Sequence, residues 1–125
     1  MKLIDLLYGA LLVSLLASGA VLAKESDYST PHCLNVLKGE REFVLPDKTR
    51  VDCLTDEVAW EYDFGPKWYE AITQAMWYSM WTARRAGVVL ILDKGEDRFV
   101  LRTRRLIDHF QLPVTQVLVI YKEGP

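Results

Sequence analysis

The sequence predicts an α/β (α+β) fold, a mixed sheet flanked by helices. Three observations carry it: successive strand-like segments over residues 42–64, an alternation of helical and strand patterns from there to residue 121, and a Gly65-Pro66 pair dividing the two regimes. Residues 1–23 read as a targeting segment. Lys2 precedes an apolar run from Leu6 to Leu22, and Val21-Leu22-Ala23 stands before Lys24-Glu25-Ser26, the pattern of a signal peptide cleaved after Ala23. Asp5 is atypical of such a segment and the run borders on spanning length, so retention as an N-terminal anchor is the alternative. Tyr28–Leu37 suits a short helix with Pro31 in its first turn and Gly39 past its end. Glu42–Leu45, the turn Pro46–Thr49 and Arg50–Leu54 form a β-hairpin pattern. From Val58 to Phe64 the residues alternate, with Val58, Trp60, Tyr62 and Phe64 on a core face and Ala59, Glu61 and Asp63 on an acidic one. Gly65-Pro66 then opens a helix to about Ala83, because proline suits the first helical turn. Gly87–Leu92 is a buried strand, Asp97–Phe110 a second long helix and Val114–Tyr121 a last strand. The predicted order is α-β-β-β-α-β-α-β.

A chain of 125 residues, 50% hydrophobic and 26% charged, has room for one domain, placed at residues 24–125, and is globular in balance. The net charge of -2 excludes strong overall basicity, so any nucleic-acid surface is a local patch. Cys33 and Cys53, the only cysteines, form a disulfide in an oxidising compartment; the alternatives are two buried free thiols or, more weakly, a metal site with His32.

The chemistry concentrates on strands two and three. Adjacent pairing brings Asp52 near Glu61 and Asp63, and carboxylates so placed suit Mg²⁺ or Mn²⁺, since hard cations take oxygen ligands and keep water. Ordinary solvation at a strand end is the bland alternative. On the following helix Lys67, Gln74 and Tyr78 share a stripe that faces the acids, while Trp68, Ile72, Ala75 and Ser79 form a neighbouring stripe suited to packing on the sheet. Trp77 and Trp81 pair at helical spacing, either as packing or as a platform for bases. Arg98, Arg102, Arg105 and His109 run along the second long helix with Arg104 beside them, a stripe suited to phosphate contacts or to simple solvation.

This arrangement resembles the PD-(D/E)XK nuclease superfamily, whose core is an α-β-β-β-α-β unit with metal-binding acids on its second and third strands. The matches are Asp52 in Arg50-Val51-Asp52-Cys53, Glu61 in Trp60-Glu61-Tyr62-Asp63, and Gln74 with Tyr78, which looks like the Q-x-x-x-Y helix of the RecB-type branch. They span about residues 40–92. Thr49–Thr55, Lys67-Trp68 and Glu70-Ala71-Ile72 with Gln74 are also similar to small exported bacterial proteins of this fold. The resemblance implies a restriction-endonuclease-like core with an added helix and strand. It also implies phosphodiester hydrolysis of DNA or RNA, with Asp52 and Glu61 holding Mg²⁺ or Mn²⁺ and Gln74 and Tyr78 positioning water or phosphate. One position departs from the pattern: the family's lysine falls two residues after the acid, where this chain has Asp63. Lys67 can return an ammonium to the site, Asp63 can serve as a third metal ligand, or the site is degenerate. In the last case the protein is a non-catalytic envelope module that binds nucleic acid or a protein partner.

Overall fold

The computed structural model describes residues 22–123. Most of the signal or anchor segment read at residues 1–23 lies outside the described residues. Among the described residues no helix is long and apolar enough to cross a membrane.

The chain forms α1 (Glu25–Pro31), a π-helical turn (His32–Leu37), β1 (Glu40–Val44), β2 (Arg50–Leu54) and β3 (Val58–Phe64). A 3₁₀ turn (Gly65–Lys67) leads into α2 (Trp68–Thr82), followed by β4 (Arg85–Leu92), α3 (Arg98–Phe110) and β5 (Val114–Tyr121). The five strands lie in the order β1-β2-β3-β4-β5. β1, β2 and β3 pair antiparallel, while β3–β4 and β4–β5 pair parallel across the helical connections α2 and α3. The mixed sheet with helices is thus as the sequence predicts.

The first helix differs from its expected span. It begins at Glu25, not Tyr28, because Glu25 and Asp27 place negative charge in its first turn and the Asp27 carboxylate accepts the Lys24 amide at 2.8 Å. Pro31 consequently closes the helix instead of opening it. The chain then widens into the π turn, which ends at Lys38 in the left-handed conformation, φ 56°. At the other boundaries the shifts are small: β1 and β4 each start two residues early, and Gly65–Lys67 is a separate 3₁₀ turn.

Both faces of the central strands are covered. On one, Ala71, Ile72 and Ala75 of α2 and Phe99 and Ile107 of α3 pack on Val88, Leu90 and Leu92 of β4. On the other, Trp60 and Tyr62 of β3 join Val89, Ile91 and the two cysteines. Burial on both sides accounts for the unbroken apolar run of β4, as parallel strands beneath helices require. It also removes ordinary solvation as the condition of the acidic face of β3. Glu61 and Asp63 are only 4% and 5% exposed, because the Ala59-Glu61-Asp63 face turns toward α2.

Cys33 and Cys53 are bonded, Cα to Cα 5.7 Å apart, which removes the free-thiol and metal alternatives. The bridge ties the π turn to β2, and a Cβ at Gly39 would collide with the Cys53 sulfur. With the bonded positions separated by 20 in sequence, the cross-link is expected to contribute about 3 kcal/mol by constraining the unfolded chain. Cys33→Ser/Cys53→Ser is therefore expected to lower the midpoint of urea unfolding, with a somewhat steeper slope as the unfolded chain expands, and to make that midpoint indifferent to reductant.

Candidate functional site

The carboxyl end of β3 gathers the acids. Asp52 sits where the β2–β3 ladder lapses: the paired residues are Cys53 with Trp60 and Leu54 with Ala59, and beyond them the Asp52 carboxylate accepts the Tyr62 amide at 2.8 Å. A side chain thus replaces a backbone partner and aims Asp52 at β3. On the flanking strand Glu42 has φ 54° between Arg41 paired with Cys53 and Phe43 paired with Val51. A left-handed glutamate inside a strand is strained, and strain of this kind gathers at functional sites.

Glu61 is the centre of the cluster. Its Oε2 is fully buried and has no hydrogen-bond partner. Burial pushes its carboxyl up to about 11, with further contributions from the charge of Asp52, a hydrogen bond shared with Asp52, and the charges of Glu25 and Asp63. Burial likewise raises Asp52, partly offset by its hydrogen bonds with Glu61 and the Tyr62 amide. Asp63 is pushed up to about 6 by burial, against the lowering effects of Lys67 and of the Phe64 amide donated to its Oδ1 at 3.1 Å.

The remaining residues singled out in the sequence for this site lie on the 3₁₀ turn and on α2. Lys67 follows β3 directly in the 3₁₀ turn, and it is the cation that both Asp63 and Glu25 sense. From α2, Tyr78 is buried, 6% exposed, and donates its hydroxyl to Gln74 Oε1 at 3.3 Å. Burial first, then the charges of Glu61 and Asp52, raise the Tyr78 hydroxyl. The structure therefore brings Asp52, Glu61, Asp63, Lys67, Gln74 and Tyr78 to one end of the sheet.

Glu25 is the residue that sequence reasoning missed. The first turn of α1 sets its carboxyl over the same strand ends. It is pushed up to about 7 by burial, then by Asp52 and Asp63, with Lys67 acting in the lowering sense. The available signal was the acidic pair Glu25 and Asp27 at a helix start, which a boundary drawn at Tyr28 left outside the fold. Among the described residues no three His, Cys, Asp or Glu side chains close on one point. The acids instead influence one another electrostatically, with Lys67 as the opposing charge at Glu25 and Asp63.

Electrostatic repulsion and lost hydration make such a group costly in isolation. A divalent cation held by Asp52 and Glu61 would relieve both costs, and the orphaned Glu61 oxygen is what that ion would satisfy. Two carboxylates completed by water match the way Mg²⁺ is commonly held.

The arginine stripe lies on exposed positions of α3. At its start Arg98 stacks over the Phe99 ring at 4.3 Å and Arg102 lies 5.6 Å from it, and Phe99 packs against the Gly65 turn, where a Cβ would come within 2.7 Å of it. Arg98 and Arg102 therefore stand next to the turn that carries Lys67, whereas Arg105 lies further along the helix. His109 is edge-on to Phe110 at 4.7 Å. Trp77 and Trp81 meet edge to face at 6.2 Å, and Trp77 donates its indole N–H to Asp47 at 2.9 Å. Trp81 lines a cleft of about 990 Å³ that opens at the other end of β3, by Val58. That rim carries Glu40, Asp56 and Glu57 against Lys38 and Arg84, an ill-suited balance for a polyanion.

Compared with family models, curated proteins and solved structures, the chain finds no match.

Proposed function

We propose that this protein is a metal-dependent phosphodiester hydrolase of the PD-(D/E)XK type, with the restriction-endonuclease-like core, acting on DNA or RNA. The observation that supports it most is the buried, unpartnered Glu61 Oε2 among the carboxyls of Asp52, Asp63 and Glu25. Asp52 and Glu61 hold Mg²⁺ or Mn²⁺, which when bound neutralises charge on the phosphate and lowers the pKa of water. Asp63 lies within reach of the Lys67 charge and stays outside the ligand set, and the lysine, displaced from its usual family position, faces the phosphate as a point charge. Glu25 at about 7 and Asp63 at about 6 are the groups suited to accept a proton near neutral pH. Tyr78, held by Gln74, keeps a hydroxyl beside Glu61. Arg98 and Arg102 contact the phosphates flanking the scissile bond. The disulfide fits export, to the periplasm or beyond it, and a cleaved signal or a retained anchor are the two forms this takes.

The test is incubation of the protein with single- and double-stranded DNA and RNA in Mg²⁺ or Mn²⁺, beside metal-free controls. Cleavage that requires the metal supports the reading; association without cleavage under every condition replaces it with the binding module. Within the active protein, Lys67→Met is expected to lower the cleavage rate by about 10²-fold, the usual worth of one stabilising charge at a phosphoryl centre. Loss of that charge also raises the Asp63 pKa, so the acid limb of the pH–rate profile moves to higher pH. A rate loss with an unmoved profile would separate Lys67 from Asp63.

A further inference from the structure

β5 is the edge of the sheet, paired among the described residues with β4 alone. Natural edge strands are usually blunted by charge, proline or a bulge. β5 has none of these along Val117–Tyr121, where its register with β4 is continuous after the shift at Ala86/Gly87. Its sequence Val-Thr-Gln-Val-Leu-Val-Ile-Tyr is uncharged. Val117 to Ile120 remain only partly buried beside the fully buried β4. Val117 and Val119 extend the core under the helices, and Leu118 and Ile120 extend the one on the opposite face. Both cores therefore run to this edge and stop.

A groove of about 350 Å³ follows the same edge, walled by Arg104, Ile107 and Asp108 of α3 and by Val114–Leu118 of β5. Arg104 and Asp108 are exposed, and neither is in an ion pair among the described residues. One helical turn separates them.

We propose that β5 pairs antiparallel with β5 of a second copy, joining two sheets into one of ten strands about a two-fold axis. Such an axis sets the two α3 helices antiparallel on one face. It brings Arg104 of each copy against Asp108 of the other, as an isologous interface demands. The exchange satisfies both charges twice, and the uncharged strands meet without repulsion. The charge pairing favours a second copy over a foreign strand, for which nothing fixes an acid opposite Arg104 and a base opposite Asp108. The pairing also keeps the two acidic sites apart, since β4 and β5 of both copies lie between one β3 and the other, so each acts alone.

Sedimentation equilibrium of the full chain, run over a range of micromolar concentrations, tests this. The wild-type protein is expected to be a dimer. Arg104→Asp and Asp108→Arg, both at exposed positions and harmless to folding, each oppose like charges and are expected to weaken dimerisation at least tenfold. The combined Arg104→Asp/Asp108→Arg exchange restores the opposite-charge contacts and is expected to restore the dimer. A monomeric wild-type chain overturns the proposal, and so does a dimer indifferent to both single reversals. A double variant as weak as the singles overturns it as well. The proposal stands or falls independently of cleavage.

Discussion

Glu61→Gln is expected to abolish metal-dependent cleavage while making the cation-free protein more stable. The two effects share one cause. Glu61 is 4% exposed with an unpartnered oxygen, and burial with neighbouring carboxyls pushes its pKa up to about 11. Near neutral pH the folded chain either binds a proton there or suffers an unsolvated charge. Glutamine removes the charge at nearly unchanged shape and offers an N–H to the Asp52 carboxylate. Relief of a buried, unsatisfied polar group is expected to add about 1–3 kcal/mol to the unfolding free energy. The same substitution takes away half of the two-carboxylate metal site, and cleavage is expected to fall by about 10³-fold or more. Urea unfolding in EDTA and cleavage in Mn²⁺ read the two effects separately. A variant that is both inactive and destabilised would mark Glu61 as a structural residue.

The second large effect is on the pH dependence of stability. Glu25, Asp52, Glu61 and Asp63 all have carboxyl pKa values raised by folding. The folded state therefore keeps protons that the unfolded chain releases from its ordinary values of 3.8 and 4.5 upward. Stability falls with rising pH wherever the folded state binds more protons. The decline begins near those ordinary values and extends through about 6 for Asp63 and about 7 for Glu25. Glu61 continues it toward about 11. His32 acts in the opposite sense: burial lowers its pKa below 6.5, so its contribution rises with pH in the window below that value. Four carboxyls outweigh one imidazole, and the melting temperature in EDTA is expected to drop steadily from pH 5 to pH 8. Added Mn²⁺ is expected to raise it, by an increment that grows with pH as the ligands lose their protons. Scanning calorimetry at four pH values, with and without Mn²⁺, gives both curves. A melting temperature flat in pH, or a Mn²⁺ increment that shrinks with pH, would contradict the arrangement of acids described above.

Much of the fold was legible because its signals are local. Alternation over Val58–Phe64 gave β3 its limits, Gly65-Pro66 marked the turn, and the apolar run of β4 carried its own burial on both faces. What local pattern does not contain is which element covers a face. The acidic face of β3 alternates like a solvated one, and only the packing of α2 upon it turns Glu61 and Asp63 into buried carboxyls with raised pKa values. Glu25 was missed for a related reason. It is distant in sequence from the other acids, and its place depends on α1 beginning three residues earlier than Pro31 suggested, with Asp27 receiving the Lys24 amide. Lys67 was legible as a candidate through its spacing on the helix after β3. The strain at Glu42 and the side-chain substitution for a ladder bond at Asp52 were not, since each is an irregularity of strand pairing, the first in β1 where it faces β2 and the second between β2 and β3.

In the proposed function, Asp52 and Glu61 together hold a divalent cation. Calorimetric titration of Mn²⁺ into the metal-free protein, beside Glu61→Gln, tests it without reliance on any substrate. One site per chain is expected, with proton release on binding as the raised carboxyls ionise, and both are expected to be lost in the variant. Binding of equal strength in the two proteins, or none in either, would contradict it.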